Sequence, residues 1–508
     1  MDNFLTGGSG KTVIRGGYRL SYDPPVYNIY VNIATSAPVL LAQSVGLATD
    51  PITNGVVNPL PATPTGTIVR TQLAPSLVTG VADPRSFNET TITPNFGPDH
   101  VHSWSLGVQR QISNATAVEA RYVGNHGDNL FQSINANPLV SGLAASFPSF
   151  LPSNVTPCSA ADAVVPNAIG RVNCNEGILR QRTNTGYSDY NGLQVQFRAT
   201  NLYKQLTMTA NYTWSKTTDN VSEIFSTFGG GNSLAFSQNP LNFTSAENGL
   251  SGLNIPQAFT LNVFEQLPFY RSQQGWIGHL LGGWGVSANY ILSSGEPYTP
   301  IQFALNAETN GTGFDVPFNN AFVGTFDTAR PFLGSSSAPV NQVGIYAGDA
   351  CSLFGPTVGS PAIPNPSCGL APTTLLSFNG VNSTGGTTAP VTTTKGVRTI
   401  VNGGEAQEIF GTPFGNAGRN IFKDAKTNIS NIGIVKSFKI NERSTVQFRT
   451  TMLNAFNHSN YSSVDPFLDD AGLSSFETGF GTPSVFPSNG TGSSVGKRQI
   501  LFGAKVNF

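Results

Sequence analysis

Polar side chains at alternate positions are the residues of this sequence best suited to contact a small molecule. Gln194, Gln196 and Arg198 are separated by apolar residues, and the same spacing recurs at Gln447 and Arg449. Successive side chains of a β-strand point to opposite faces, so each set lies on one polar face. Amide and guanidinium groups recognise ligands through hydrogen bonds and charge, without covalent chemistry. The candidates are Gln194, Gln196, Arg198, Asn211, Gln447 and Arg449.

These polar side chains also have a structural interpretation, which we prefer. Gln and Arg side chains on one face of a sheet can satisfy one another in cross-strand ladders, or pack against a separate domain. Ligand recognition more often uses loops, which a rigid scaffold positions. The polar faces therefore predict a hydrogen-bonded wall, with ligand contact as the second interpretation.

Four cysteines fall into two local pairs. Cys158 and Cys174 belong to one predicted loop, and Cys351 and Cys368 to another. This spacing favours the disulfides Cys158–Cys174 and Cys351–Cys368. Disulfides persist in oxidising compartments such as the periplasm or the cell surface. A metal site is the alternative, but CxxC and histidine-rich spacings do not occur in the sequence.

Sequence motifs for metal-dependent hydrolysis and nucleotide binding are absent. We find no HExxH or P-loop pattern, and the glycine run 229–231 lacks a following Lys-Ser/Thr. The sequence therefore predicts that the protein is not an enzyme and that it uses no cofactor or metal.

The histidines give little support for a ligand-binding role. In the segment LNAFNH, Asn454 and His458 are expected to make hydrogen bonds that anchor a loop. The remaining four histidines are expected to be scattered through the chain: His100, His102, His126 and His279.

Ten segments show the period-two alternation of β-strands. In the clearest, Leu206 to Ser215, apolar residues alternate with Thr, Asn and Ser. The clearer segments are about ten residues long, near the length that crosses a bilayer at a tilt. The others are Ile14 to Tyr22, Trp104 to Ile112, Val118 to Tyr122, Leu193 to Ala199, Phe259 to Val263, Trp284 to Leu292, Ile432 to Phe438, Val446 to Met452 and the C-terminal strand.

Short and long connections alternate between these segments. Short turns fall at 112–116, 201–204 and 440–444, and a middling connection falls at 268–283. Outer-membrane barrels have short periplasmic turns and long extracellular loops. We therefore predict an all-β fold, an antiparallel transmembrane β-barrel in the bacterial outer membrane. The long connections, expected to lack regular structure, are 23–101, 125–189, 217–256, 295–426 and 457–496.

Composition agrees with this prediction. Only 11% of the 508 residues are charged, against about a quarter in soluble proteins. The net charge of −1 predicts no nucleic-acid partner. No stretch approaches the roughly 20 apolar residues of a membrane helix. The N-terminal sequence MDNFLTGGSG does not resemble a signal peptide, so we expect the chain to be a fragment of a longer protein.

The last strand carries a separate prediction. In RQILFGAKVNF, alternate residues are apolar and the strand ends on an aromatic residue. An unpaired strand edge with outward apolar side chains can pair with the open seam of the barrel-assembly machinery. We predict Phe502, Val506 and Phe508 as the assembly signal, which is compatible with a simple closing strand.

Several motifs resemble TonB-dependent receptors of the Oar-like group. They include SLGVQRQI at 105–112, YVGNHG at 122–127, NYTWSK at 211–216 and GGWG at 282–285. The most specific are FGNAGRN at 414–420 and LNAFNH at 453–458. Their order and spacing agree with this family across nearly the whole chain.

The resemblance implies a large outer-membrane barrel with a plug domain in its lumen, driven by the TonB complex of the inner membrane. Plugged barrels have about 22 strands, so ten are roughly half. The whole chain, 1–508, is then the C-terminal part of such a barrel, without the plug, the TonB box or the N-terminal domain. The expected function is ligand binding at surface loops and passage through the lumen. The expected partners are outer-membrane lipid, the assembly machinery, TonB through the missing region, and an unidentified ligand.

Two alternatives remain open. A self-contained ten-stranded barrel would be a passive pore or adhesin, and pairing of the first strand with the last would favour it. An outer-membrane hydrolase would need clustered Asp and His side chains at the outer rim, and the sequence offers no convincing set.

Overall fold

Ten long strands form one continuous sheet in the computed structural model of the protein. The structure describes residues 10–24, 27–35, 39, 83–87, 89–202, 205–222, 237–243, 247–301, 330–358, 363–377, 396–441, 444–464, 468, 483–485 and 497–507. Strands β1 to β10 are Thr12–Asp23, Asp99–Ser113, Thr116–Asn135, Leu179–Leu202, Leu206–Asp219, Gln257–Gln266, Trp284–Ser293, Thr427–Lys439, Thr445–Leu453 and Gln499–Asn507.

The ten strands lie in the order in which the chain makes them, and each is antiparallel to its neighbours. All ten predicted strands are present. Within the described residues, β1 pairs only with β2, and β10 pairs only with β9. The outer edges of β1 and β10 therefore have no described strand partner.

The register gives the sheet one apolar and one polar face. Tyr212 of β5 lies opposite Val195 of β4 and Phe259 of β6. One residue earlier, Asn211 lies opposite Gln196 and Thr260. Directly paired residues share a face, so the alternation of each strand is carried across the sheet.

Strands β3 and β4 extend far beyond the predicted segments, to 20 and 24 residues. The prediction of an unstructured loop over 125–189 is therefore wrong at both ends. Residues 131–135 of β3 are all buried, so buried and exposed positions do not alternate in this part of the strand. A short parallel strand, Glu89–Ile92, pairs with the start of β4 and covers it.

The connections between β5 and β6 and between β7 and β8 build a packed unit at the long-loop end of the sheet. We call this unit, formed by the described parts of 237–251 and 297–424, the loop assembly. Its core contains Tyr298, Ile345, Leu376 and Phe422. The prediction that 295–426 lacks regular structure is therefore wrong for the part that the structure describes. Its short strands are Gly249–Leu250, Pro297–Tyr298, Phe332–Leu333, Val343–Tyr346, Thr357–Val358, Ile363–Pro364, Leu375–Ser377, Thr399–Ile400 and Phe422–Lys423.

The helices are short and lie in connections. Helices α1 to α5 are Tyr27–Ala34, Ser141–Ser146, Gly275–Leu281, Ala347–Phe354 and Gly404–Phe410. Among the described residues, none of the helices has the length and apolar character needed to cross a membrane. Short 3-10 helices are Pro84–Ser86, Pro148–Phe150, Pro166–Ala168 and Pro366–Gly369, and two further short strands are Tyr461–Val464 and Pro483–Val485.

Candidate ligand-contacting face and its cap

The six predicted polar residues all lie on the polar face of the sheet. Gln194, Gln196 and Arg198 belong to β4 and Asn211 to β5. Gln447 and Arg449 belong to β9, where Gln447 is paired with Ser437 of β8. The structure therefore brings the first four together on neighbouring strands, with the β9 pair several strands away on the same face.

Amide side chains form hydrogen-bonded steps across this face. Gln196 Nε2 donates to Asn211 Oδ1 over 2.8 Å, and Asn211 Nδ2 donates to Thr260 Oγ1 over 3.1 Å. A second series joins Asn289 to Asn262 over 2.8 Å and Asn431 to Asn289 over 3.3 Å. The second series was not predicted, although its residues occupy the polar positions of their strands.

Two of the shallow concavities on the polar face lie beside these steps. One, of about 290 Å³, is lined by Glu119, Arg121, Gln194 and Asn211 among others. The other, of about 320 Å³, is lined by polar and apolar residues of β5 to β9, including Asn262, Phe264 and Arg449. Arg121 forms an ion pair with Glu119, and Arg449 Nε donates to Thr451 Oγ1 over 3.1 Å. Such a surface can hold a polar solute by hydrogen bonds and charge.

A buried ion pair ties the loop assembly to the end of β5. Arg419 pairs with Asp219, and both side chains are almost fully buried. Arg419 Nη2 also donates to the backbone oxygen of Asp219 over 2.9 Å. Burial lowers the pKa of Arg419 to about 10, so the guanidinium stays protonated at neutral pH. The pair is therefore ionic.

A second buried ion pair lies inside the loop assembly. Arg330 contacts Glu247, and each side chain is 2% exposed. Ser237 Oγ donates to the same Glu247 oxygen, Oε1, over 2.8 Å. Arg330 Nη1 also donates to the backbone oxygen of Ala417 over 3.3 Å. Arg330 therefore joins the Glu247 carboxylate to the backbone at Ala417.

The FGNAGRN segment is the link between these contacts. A Cβ on Gly415 would lie 1.9 Å from the backbone oxygen of Arg330, so no other residue fits that position. The backbone N–H of Asn420 donates to Thr299 Oγ1 over 2.9 Å, and its Nδ2 donates to Leu250 O over 2.7 Å. The motif thus positions the loops on the strands. Sequence reasoning identified the motif but not these partners.

The family described as outer membrane beta barrel domain matches residues 5–500. The chain belongs to this family. The match confirms the antiparallel outer-membrane barrel and its location in the bacterial outer membrane. In outer-membrane barrels the polar face lines the lumen, the apolar face meets lipid, and the long loops are extracellular.

Solved structures with a similar fold are outer-membrane transporters and receptors. They include the outer membrane transporter YddB from Escherichia coli, at 8% identity and a TM-score of 0.38. The alignment covers 99% of this chain and 39% of YddB. The pyoverdine outer membrane receptor FpvA from Pseudomonas aeruginosa has 8% identity and a TM-score of 0.31, covering 81% of this chain and 30% of FpvA.

A third similar structure is the FrpB iron transporter from Neisseria meningitidis, at 7% identity and a TM-score of 0.30. That alignment covers 83% of this chain and 33% of FrpB. No curated protein matches the sequence. The barrel domain thus spans well under half the length of each of these three structures.

The extracellular loops contain both predicted disulfides. Cys158 is bonded to Cys174, and Cys351, in α4, is bonded to Cys368. Near the second disulfide, the Asp349 carboxylate accepts hydrogen bonds from the backbone N–H groups of Glu405 and Ala406, over 2.7 and 3.1 Å. These contacts join α4 to the first turn of α5. Burial raises the pKa of Asp349 to about 6.

Three of the histidines meet on the lipid-facing side of the barrel domain, so the prediction that they are scattered is wrong for them. His102 lies directly opposite His126, with ring centroids 6.3 Å apart. His126 Nδ1 lies 2.7 Å from Asp189 Oδ1, and His100 Nδ1 lies 3.3 Å from Asp128 Oδ1. The pairing of β2 with β3 produces this cluster. Strand alternation could have predicted that His100 and His102 share a face of β2, and the register of β3 adds His126 to it.

The histidine cluster contacts carboxylates, Tyr18 and Asn129. In the described part of the chain, no hydrogen bond joins these imidazoles to a Ser or Cys nucleophile, as a triad requires. Within the same residues, no group of three or more His, Cys, Asp or Glu side chains is arranged to hold a metal ion. The cluster therefore gives no support to the hydrolase alternative.

The LNAFNH segment makes the loop-anchoring contacts that the sequence predicted. Asn454 Nδ2 donates to the backbone oxygen of His458 over 2.7 Å. In return, the backbone N–H of His458 donates to Asn454 Oδ1 over 3.0 Å. Asn457 Oδ1 accepts from the backbone N–H of Arg498, which leads into β10. Asn454 thus closes the turn after β9.

The predicted assembly signal lies on β10, the last strand of the sheet. Phe502 and Val506 share the lipid-facing side, where Phe502 lies opposite Thr450 and Val506 opposite Val446. Phe502 is 81% exposed. Phe508 lies outside the described residues. Their role as a signal stays a prediction.

Proposed function

We propose that this chain is the C-terminal part of the barrel of a TonB-dependent outer-membrane receptor. It would bind a ligand at its extracellular loops and pass the ligand through the lumen without covalent chemistry. The continuous polar face carries the proposal. A barrel wall that only had to fill its own interior would bury apolar side chains there. Here the inward side chains are Gln, Asn, Thr, Arg and Glu, which suit a hydrated path.

The two unpaired sheet edges support a barrel larger than ten strands. An exposed backbone edge in lipid costs several kcal/mol for each unsatisfied group. Within the described residues, β1 and β10 do not pair with each other. The outer edges of β1 and β10 would therefore pair with further strands, as in plugged barrels of about 22 strands. The plug and those strands would belong to a longer protein, of which residues 1–508 are one part.

The loop assembly supports ligand recognition at the extracellular end. Buried ion pairs and a disulfide hold its segments in one arrangement. A binding surface that is already ordered loses less conformational entropy when a ligand binds. The described loops thus provide a preorganised platform, whereas the lumen residues contact the ligand in passing.

The remaining partners follow from this assignment. The TonB complex would act on the plug domain and supply the energy for release of the ligand. The barrel-assembly machinery would recognise β10 through Phe502, Val506 and Phe508. The free edge of β10 supports strand addition, because its backbone groups are not paired on the outer side within the described residues.

Ion conductance separates the receptor from its main alternative, a passive pore. The native protein would be purified from the outer membrane and inserted into a planar bilayer in potassium chloride. A plugged receptor is expected to give no steady current. Stepwise, ohmic current at every insertion would contradict the receptor and indicate an open pore. The pairing of β1 with β10 that would favour a closed ten-stranded pore does not occur in the described residues.

A further inference from the structure

The periplasmic connection between β6 and β7 has an unusually apolar surface. It contains α3, whose sequence is GWIGHLL. Trp276 is 76% exposed and Leu280 is 58% exposed, and Ile277 and Leu281 are also exposed beside them. Residues four apart lie on the same side of a helix, so these four side chains form one apolar surface. A patch of this kind on a water-exposed turn normally marks a contact surface.

Lys436 fixes this helix against the lipid-facing wall of the barrel domain. Its side chain lies on the apolar face of β8, opposite Trp284 and Phe448. The ammonium group donates to the backbone oxygens of His279 over 2.5 Å and Leu280 over 3.1 Å, and also to Gly282 O. These carbonyls are the acceptors left without partners at the end of a helix. A cation there also interacts favourably with the helix dipole.

Aromatic rings complete the attachment. Trp284 Nε1 donates to Leu280 O over 3.0 Å. The Lys436 ammonium lies 5.1 Å from the ring centroid of Trp284 and 4.7 Å from that of Phe438. The lysine is therefore enclosed by the helix end and by two rings that face lipid. The helix is attached to the outside of the wall, not to the lumen side.

The segments on both sides of α3 are equally fixed. Gln273 Nε2 donates to Ser437 O over 2.9 Å, and Gln273 Oε1 accepts from the Lys439 N–H over 3.0 Å. The Gln273 side chain thus hydrogen-bonds to the backbone of β8 beyond the point where β7 begins. Gly283 has a φ of +72°, and a Cβ there would lie 2.3 Å from Ser437 O. The orientation of the apolar surface is consequently set by the sheet.

We infer that α3 is an interfacial anchor that inserts Trp276, Ile277, Leu280 and Leu281 into the periplasmic phospholipid leaflet. The surface is continuous with lipid-facing residues of the wall, such as Phe448, which is 51% exposed. The helix contains no Asp, Glu, Lys or Arg. Tryptophan at such a boundary favours the headgroup region. Exposed Arg271, just before the helix, suits the phosphate groups.

Quenching of tryptophan fluorescence by brominated lipid tests this inference. The native protein would be purified from the outer membrane and reconstituted into phosphatidylcholine vesicles, with and without bromine near the headgroup end of the acyl chains. The chain has four tryptophans, so the emission of Trp276 is obtained as wild type minus Trp276→Phe. Phenylalanine keeps an apolar ring at this position, so folding should be retained.

The anchor predicts that the Trp276 difference emission is strongly quenched by brominated lipid and poorly quenched by aqueous acrylamide. Trp214, which is lipid-facing in β5 and 61% exposed, provides the positive control through Trp214→Phe. Quenching of Trp276 by acrylamide alone would show a water-facing helix. Quenching by neither agent would show that protein covers the helix. Either of these two results would overturn the inference.

Discussion

In the ten-stranded sheet, neighbouring strands meet through backbone hydrogen bonds in an almost continuous register, whereas the segments of the loop assembly meet through strand pairs of two or three residues and through single buried side chains. β5 makes eight successive pairings with β6, Thr207 to Trp214. In the loop assembly, the ion pair of Arg330 with Glu247 joins distant segments, and Arg419 joins the assembly to Asp219 of β5. The first arrangement repeats at every residue, and the second relies far more on single side chains.

This difference predicts unequal sensitivity to mutation. A ladder of many backbone hydrogen bonds loses little when one side chain changes, because the backbone contacts remain. A buried charge that loses its partner keeps its whole desolvation penalty. We therefore expect substitutions in the loop assembly to be costly and those on the polar face to be mild.

The largest effect is expected for Arg419→Met. It leaves Asp219 buried without its charge partner, which typically costs about 3–5 kcal/mol. The measurement is the urea concentration at which protease cleaves the extracellular loops in outer-membrane vesicles. Lys216→Met, an exposed change on β5, is the matched control and should fall within about 0.5 kcal/mol of wild type. Equal shifts for both variants would contradict the comparison.

The next effect is expected on removal of the Cys351–Cys368 disulfide. The two cysteines are 17 residues apart, and closure of a loop of this size contributes about 3 kcal/mol in the chain-entropy model. The double variant Cys351→Ser and Cys368→Ser should show a lower urea midpoint for loop cleavage. Dithiothreitol should lower the midpoint of wild type more than that of the double variant. A midpoint equal to wild type would show that the loop assembly does not depend on the bridge.

A smaller effect is expected from pH through Asp349. Its pKa in the folded state, about 6, exceeds the ordinary 3.8 because the carboxyl is buried near Glu405 and Glu408. Between these values the folded loop assembly keeps a proton that the unfolded chain releases. The free energy of unfolding should therefore fall as pH rises through this window, by at most about 1.4 kcal/mol per pH unit, and level off above it.

The pH effect is checked by the urea midpoint of loop cleavage at successive pH values. Asp349→Asn should flatten the decline between pH 3.8 and about 6, because the amide does not titrate. An unchanged slope in this variant would assign the decline to other groups.

The smallest effect is expected for Asn211→Ala on the polar face. It removes the hydrogen bonds to Gln196 and Thr260, each worth about 1 kcal/mol net. Water in the lumen can replace the lost partner, so the loss should be about 1 kcal/mol. Urea unfolding followed by tryptophan fluorescence in vesicles measures it. A loss as large as that of Arg419→Met would contradict a sheet held mainly by its backbone.

Alternation in the sequence predicted the sheet well where only one side of a strand is apolar. The prediction of Leu206 to Ser215 falls within β5, which is Leu206–Asp219. The upper part of β3 was missed because Phe131, Gln132 and Ile134 are buried together, which removes the alternation. The register there also shifts between Gly127 and Leu130. Such irregularity turns side chains away from the expected face.

The loop assembly could not be predicted in the same way. Asp219 and Arg419 are 200 residues apart, and no local pattern links them. The FGNAGRN segment was recognised as a motif, but its contacts with Arg330 and Thr299 depend on the folded arrangement. The second series of amides on the polar face could have been predicted, since each of its residues occupies a polar position of its strand: Asn262, Asn289 and Asn431.

The size of the native protein tests the central claim most directly, namely that this sheet is part of a larger, plugged barrel. An immunoblot of an outer-membrane fraction would use an antibody against the loop 295–426. A larger, plugged barrel predicts a band about twice the 53.6 kDa of this chain, because plugged barrels have about 22 strands and a plug. A single band at 53.6 kDa would contradict it and favour a self-contained pore or adhesin.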